Sequence, residues 1–208
     1  MKVLSLKSLR RLVMLSLIGF ANLWVVQSAS ALVLDIGTPG SGGCCSFGTR
    51  GYWFVAPTDF TLTKLSLPNE TVTDSTIEVL KFNVTPPEFS ATTNDFTSLG
   101  YWEDVASVAT SLSFSAGDIV GILGWADGKT TYRDSSGDYN TTLGGEALAL
   151  SRLGFQDLGQ AYDVWAESNG SIGMIFMEYE LTQVPEPAPL ALVGLGLLGL
   201  GLVRKRRN

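Results

Sequence analysis

Two apolar segments, residues 12–26 and 190–203, bracket the chain and leave roughly 32–183 as the stretch able to fold in water. That stretch has the size of one ordinary domain and is long enough to bury a hydrophobic core. It is rich in Thr, Ser, Gly, Val, Ile, Leu and aromatic residues and poor in the Lys, Arg, Glu and Ala that fill long helices. Strand is therefore favoured by propensity.

Turn chemistry divides this middle region. Asp127-Gly128 separates the apolar run 119–125 from 130–133, and Asn169-Gly170 separates 162–165 from 171–179. Both dipeptides tolerate the positive φ of a type I′ turn, so a hairpin is expected at each. Further strands are expected at 51–55, 60–67, 76–84, 105–114 and 147–153, giving about nine in all, with 86–100 as a long loop. Short strands at regular spacing, without an amphipathic helix, predict an all-β, antiparallel two-sheet sandwich, jelly-roll-like or immunoglobulin-like. Residues 114–123 and 173–179 resemble jelly-roll strands of extracellular modules.

The formal net charge of −6 conceals an asymmetry. Lys2, Lys7, Arg10 and Arg11 at the front and Arg204, Lys205, Arg206 and Arg207 at the back hold 8 of the 14 basic residues. Residues 32–183 carry 6 basic against 19 acidic side chains, a net of −13. Such a surface repels phosphate backbones, which argues against nucleic acid as a partner.

Residues 1–31 have the three parts of a secretory signal: a basic start, an apolar core at 12–26, and small residues at Ala29 and Ala31, with cleavage expected after Ala31. The core is short of the ~20 residues that span a bilayer comfortably. At the other end, Pro185-Glu186-Pro187 precedes an apolar segment, 188–203, expected to be helical, and a basic tail. Prolines hold an extended stretch, because they cannot donate helix or ladder hydrogen bonds. At ~1.5 Å per residue the helix falls short of the ~30 Å hydrocarbon core, as a transient anchor would. The basic tail stays cytoplasmic and leaves the domain outside.

This arrangement, over about the last 25 residues, resembles the PEP-CTERM sorting signal recognised by exosortases. These are polytopic membrane transpeptidases of Gram-negative bacteria that also make exopolysaccharide. The resemblance implies exosortase as a partner, transient residence in the inner membrane through 188–203, processing near Pro185, Glu186 and Pro187, and transfer to the cell surface or extracellular matrix. The expected organisation is thus a signal peptide at 1–31, a β-sandwich at 32–183 and a sorting signal at 184–208.

The chain has no histidine, which removes Ser-His-Asp and Cys-His catalysis and the common zinc sites. Gly40-Ser41-Gly42-Gly43 lacks the Lys and the following helix of a phosphate-binding loop. Cys44 and Cys45 are adjacent and build no disulfide framework. An enzyme would have to use paired carboxylates from acids such as Glu103, Asp104, Asp134, Asp138, Glu146 and Glu178, and scattered surface acids are the simpler reading. No catalytic residue is assigned.

Asp127, Asp134 and Asp138 concentrate oxygen ligands in loops and are the candidate Ca²⁺ site. No other cofactor is expected. Trp53, Trp125 and Trp165 fall inside expected strands and are assigned to the core, whereas Tyr101 and Trp102, in the expected loop, are the candidate sugar-binding pair. The leading functional reading is a non-enzymatic surface or matrix protein associated with exopolysaccharide in a biofilm. The alternatives are a carbohydrate-binding module and a glycoside hydrolase or lyase.

Overall fold

The computed structural model describes residues 30–44, 48–69 and 71–182, and the side chains of 41–44 are not among those described. The side chain of Cys44, all of Cys45, the apolar segments, Ala29 and the Pro185-Glu186-Pro187 stretch lie outside what is described.

Among the described residues there are thirteen strands and no helix. One antiparallel sheet has four strands in the order β1 (Leu32–Val33), β13 (Phe176–Leu181), β4 (Phe60–Ser66) and β7 (Ser107–Phe114). A larger one runs β10 (Tyr139–Leu143), β11 (Glu146–Phe155), β3 (Thr49–Val55), β8 (Ile119–Ala126), β5 (Ser75–Phe82) and β6 (Phe96–Glu103). The short β12 (Trp165–Glu167) also pairs with β11, and β2 (Pro39–Cys44) forms a separate ladder with β9 (Thr130–Arg133).

The burial patterns explain the layering. On β4, inward Phe60, Leu62 and Leu65 are buried between half-exposed neighbours, which leaves the far face of the four-stranded sheet open to water. The central strands β5 and β8 are buried on both faces. Their inward residues Ile77, Val79, Val120 and Ile122 join Tyr52, Phe54, Phe60, Leu62, Met177 and Tyr179 in one cluster between the two sheets. The result is a sandwich-like all-β fold. Each fully buried side chain of this size contributes about 1.5–3 kcal/mol of transfer free energy.

The opposite side chains of the larger sheet, Leu80, Phe82, Leu123, Leu153 and Phe155, form a second cluster with Val164 and Trp165. Two connections meet over this side of the sheet. Thr93 and Val164 exchange backbone hydrogen bonds at 2.9 and 3.0 Å, Ala166 N donates to Pro87 O at 2.8 Å, and Phe89 N donates to Ala166 O at 3.0 Å. Asn94 adds a side-chain bond to Asp163, which sits at φ +45°.

Several sequence expectations change. The turn at Asp127-Gly128 is present, with φ of +50° and +77° and reciprocal Ala126–Lys129 hydrogen bonds. The hairpin beyond it is not, because β9 departs after a single bridge and pairs with β2. At Asn169-Gly170 no hairpin forms either, since β12 joins the larger sheet and β13 the smaller one. The strands expected at 162–165 and 171–179 begin only at Trp165 and Phe176.

The expected long loop 86–100 ends in β6, so Tyr101 and Trp102 lie in a strand. The small residues Ser98 and Gly100 hid that strand from propensity. The Trp102 ring lies over Gly100, in the space that a Cβ there would occupy.

Candidate functional site

The most unusual chemistry of the β unit lies where β12, β11 and β3 run side by side. Register places Gly154 opposite both Arg50 and Trp165, and Arg152 opposite Glu167. Glycine at 154 leaves room for the Arg50 side chain, which lies where a Cβ would project. Arg50 is only 5% exposed, and its guanidinium sits 5.1 Å from the centre of the Trp165 ring. Its Nη1 donates to the carbonyls of Thr49 at 2.9 Å and Phe155 at 2.5 Å. Burial draws its pKa below the ordinary arginine value.

Arg152 repeats the motif. Its guanidinium lies 5.0 Å over the Tyr132 ring and pairs with Glu167 at 3.2 Å, while Glu167 accepts the Trp165 indole N–H at 2.8 Å. Arg133 lies 4.7 Å over Tyr139. All three arginines of residues 32–183 therefore stack on aromatic rings, the geometry that a planar, weakly hydrated cation favours. In front of Trp165 stands Phe89, 65% exposed, with ring centres 5.3 Å apart.

A second buried group is Glu78, 2% exposed on β5. One carboxylate oxygen accepts from Ser98 Oγ at 2.7 Å and the other from Ala161 N at 2.8 Å. Burial raises its pKa, against the opposing pull of these two hydrogen bonds. The carboxylate thus ties β6 and the 156–164 connection to the sheet centre. Sequence reasoning missed Glu78, Phe89 and Arg50. The only available signal for Glu78 was a lone acid inside an apolar run, Ile77-Glu78-Val79-Leu80.

Tyr101 and Trp102 are successive strand residues and point to opposite faces, so they form no common platform. Trp102 packs against the inter-sheet core. Tyr101 donates to Glu103 at 3.1 Å, and its pKa is pushed up to about 12 by burial and by that bond.

Of the metal candidates, Asp127 accepts from Thr73 N at 3.0 Å and from Thr73 Oγ1 at 2.9 Å, while Asp134 accepts from Thr38 Oγ1 at 2.9 Å. No group of three Asp, Glu, His or Cys side chains arranged to hold a metal occurs among the described residues. Trp125 and Trp165 are buried as expected, and Trp53 is half-buried against the second cluster. On the open face of the smaller sheet, Lys64, Ser66, Pro68, Ser107 and Phe176 line a shallow cavity of about 310 Å³. Lys64 at its edge pairs with Glu178 at 3.0 Å.

The two ends of the unit lie together. β1 pairs with β13 through Leu32–Tyr179 and Val33–Glu178, so the chain enters the smaller sheet beside the point where it leaves. Ala31, the expected cleavage residue, immediately precedes β1. The exit at Leu181 is followed by a second recognisable segment: residues 183–207 match the family model described as the PEP-CTERM protein-sorting motif. The chain carries a PEP-CTERM signal. This motif supports an exported protein processed by exosortase, which implies passage through the inner membrane of a Gram-negative bacterium to its surface. No curated protein and no solved structure matches the chain. No helix among the described residues is long and apolar enough to cross a membrane.

Proposed function

We propose that the β unit is the mature, non-enzymatic part of a surface or matrix protein that signal peptidase and exosortase together release from the inner membrane. The observation that carries this reading is the PEP-CTERM match at 183–207, which begins just after β13 ends at Leu181. The apolar run 190–203 is short and interrupted by glycines, which suits a permanent anchor poorly, and the basic tail after it favours a junction on the outer side. Replacing Pro185, Glu186 and Pro187 by Ala is expected to leave export intact and to accumulate uncleaved protein in the inner membrane. Intact mass and fractionation in cells with and without exosortase measure this. A tail persisting through Asn208 on surface-located protein in both strains would replace the sorting signal with an ordinary anchor.

We also read the unit as an extended jelly roll. The orders β1-β13-β4-β7 and β3-β8-β5-β6 are those that eight strands take when two Greek keys fold into facing sheets. On this reading β9 to β12 are an insertion before the last strand.

Phe89 favours a second reading, a carbohydrate-binding module within an exopolysaccharide matrix. Its exposed ring, backed by Trp165, offers a flat apolar face for the C–H face of a sugar. Titration with the exopolysaccharide of the producing cells, using the parent protein and Phe89→Ala, is the test. Equal affinity for both would end this reading.

A further inference from the structure

Three turns lie at the end of the sandwich where the chain enters and leaves. Asp59 O accepts from Thr182 N at 3.4 Å, and Asp59 Oδ1 accepts from Ala116 N at 2.7 Å. These bonds join the β3–β4 and β7–β8 turns to the last described residue. Leu181 lies against Gly144 in the β10–β11 turn, and Gly144 N donates to Tyr179 Oη at 3.0 Å. The chain is therefore held by the fold up to Thr182.

From Thr182 to Pro185 there are three Cα–Cα steps of 3.8 Å, so the processing motif lies within ~11 Å of this end even when fully extended. We propose that this end, formed by the turns around Asp59, Ala116 and Gly144–Glu146, is the surface that abuts exosortase while the precursor is processed. The inference rests on the sorting reading above. It adds that the enzyme works against a folded face, since so short a tether leaves no room for the domain to stand off. β1 enters at the same end, which brings the expected signal-peptide junction at Ala31 to the same side of the domain.

The opposite end is a built-in control. β8 runs the length of the larger sheet from Ile119, next to Asp118 of the β7–β8 turn, to Ala126, and eight strand residues carry it ~26 Å away to the Asp127-Gly128 turn. A photoactivatable benzophenone side chain is placed singly at exposed Ala116, Glu146 or Asp127 of the full-length chain, and cells are irradiated during export. Cross-links to exosortase are expected from Ala116 and Glu146, several-fold stronger than from Asp127. A Gly-Ser spacer of about a dozen residues after Thr182 should weaken them several-fold while processing continues, because a longer tether lowers the effective concentration.

Intact mass of unirradiated samples tells the two readings apart. Normal processing with equal cross-linking from both ends, with none from Ala116 and Glu146, or with cross-linking unchanged by the spacer would overturn the proposed surface. A chain that exosortase never processes would remove the sorting reading, and this surface with it.

Discussion

The guanidinium of Arg50 lies 5.1 Å over the ring of Trp165, a contact between β3 and β12 made possible by the glycine at 154 that stands between them in the sheet. Phe89 packs against the same Trp165 ring, with ring centres 5.3 Å apart.

Trp165→Ala is expected to cost about 3–5 kcal/mol, the range for emptying a buried aromatic site. Arg50→Lys should cost about 1–3 kcal/mol despite keeping the charge, because a compact, strongly hydrated ammonium replaces a planar guanidinium that lies on the indole while donating to two buried carbonyls. Urea unfolding of the β unit measures both. A Lys variant as stable as the parent would show that the guanidinium geometry contributes nothing.

Glu78 gives a pH dependence with a definite sign. Its folded pKa is raised above the ordinary 4.5, so the folded state holds this proton more tightly than the unfolded chain. The associated stability is fully present below 4.5 and is lost as pH rises through the raised folded value. The difference in stability between parent and Glu78→Gln should therefore favour the parent most at acid pH and shrink as pH rises. A difference that grows with pH contradicts this assignment.

Gly51 of β3 faces the backbone of β8 so closely that a Cβ would collide with the Ile122 carbonyl oxygen. Backbone cannot retreat as a flexible side chain can. Gly51→Ala is expected to cost more than about 3 kcal/mol, or to prevent folding. Gly128→Ala serves as a control, since at φ +77° with open space around it only the left-handed strain of ~1 kcal/mol applies. Comparable losses at the two positions would refute the packing account.

Calcium is expected to leave the melting curve unchanged. Asp127 and Asp134 are engaged by different threonines, Thr73 and Thr38, and β9 lies between them in the chain. Binding to the native state must raise the melting temperature. A rise with Ca²⁺ that a chelator reverses would instead support Asp127, Asp134 and Asp138 as a Ca²⁺ site.

The sequence by itself determined the features that are local along the chain. Pro185-Glu186-Pro187 and the segment after it are recognisable because a membrane and a membrane enzyme read them as a linear string. The Asp127-Gly128 turn was legible because two adjacent residues set their own φ, and the strand character of β3, β4, β5, β8 and β11 followed from propensity and burial pattern. Tertiary structure decided the rest. Whether β9 continues with β8 or joins β2, and whether 96–103 is loop or strand, depends on which edge is free when the sheets assemble.

The same holds for Arg50, Glu78 and Tyr101. Nothing in their neighbours along the chain says that Arg50 will lie over Trp165, that Glu78 will accept from Ala161 N, or that Tyr101 and Trp102 will face opposite ways. Partners so distant in sequence meet only when sheet register brings them together, and that register is set by the burial of the whole core.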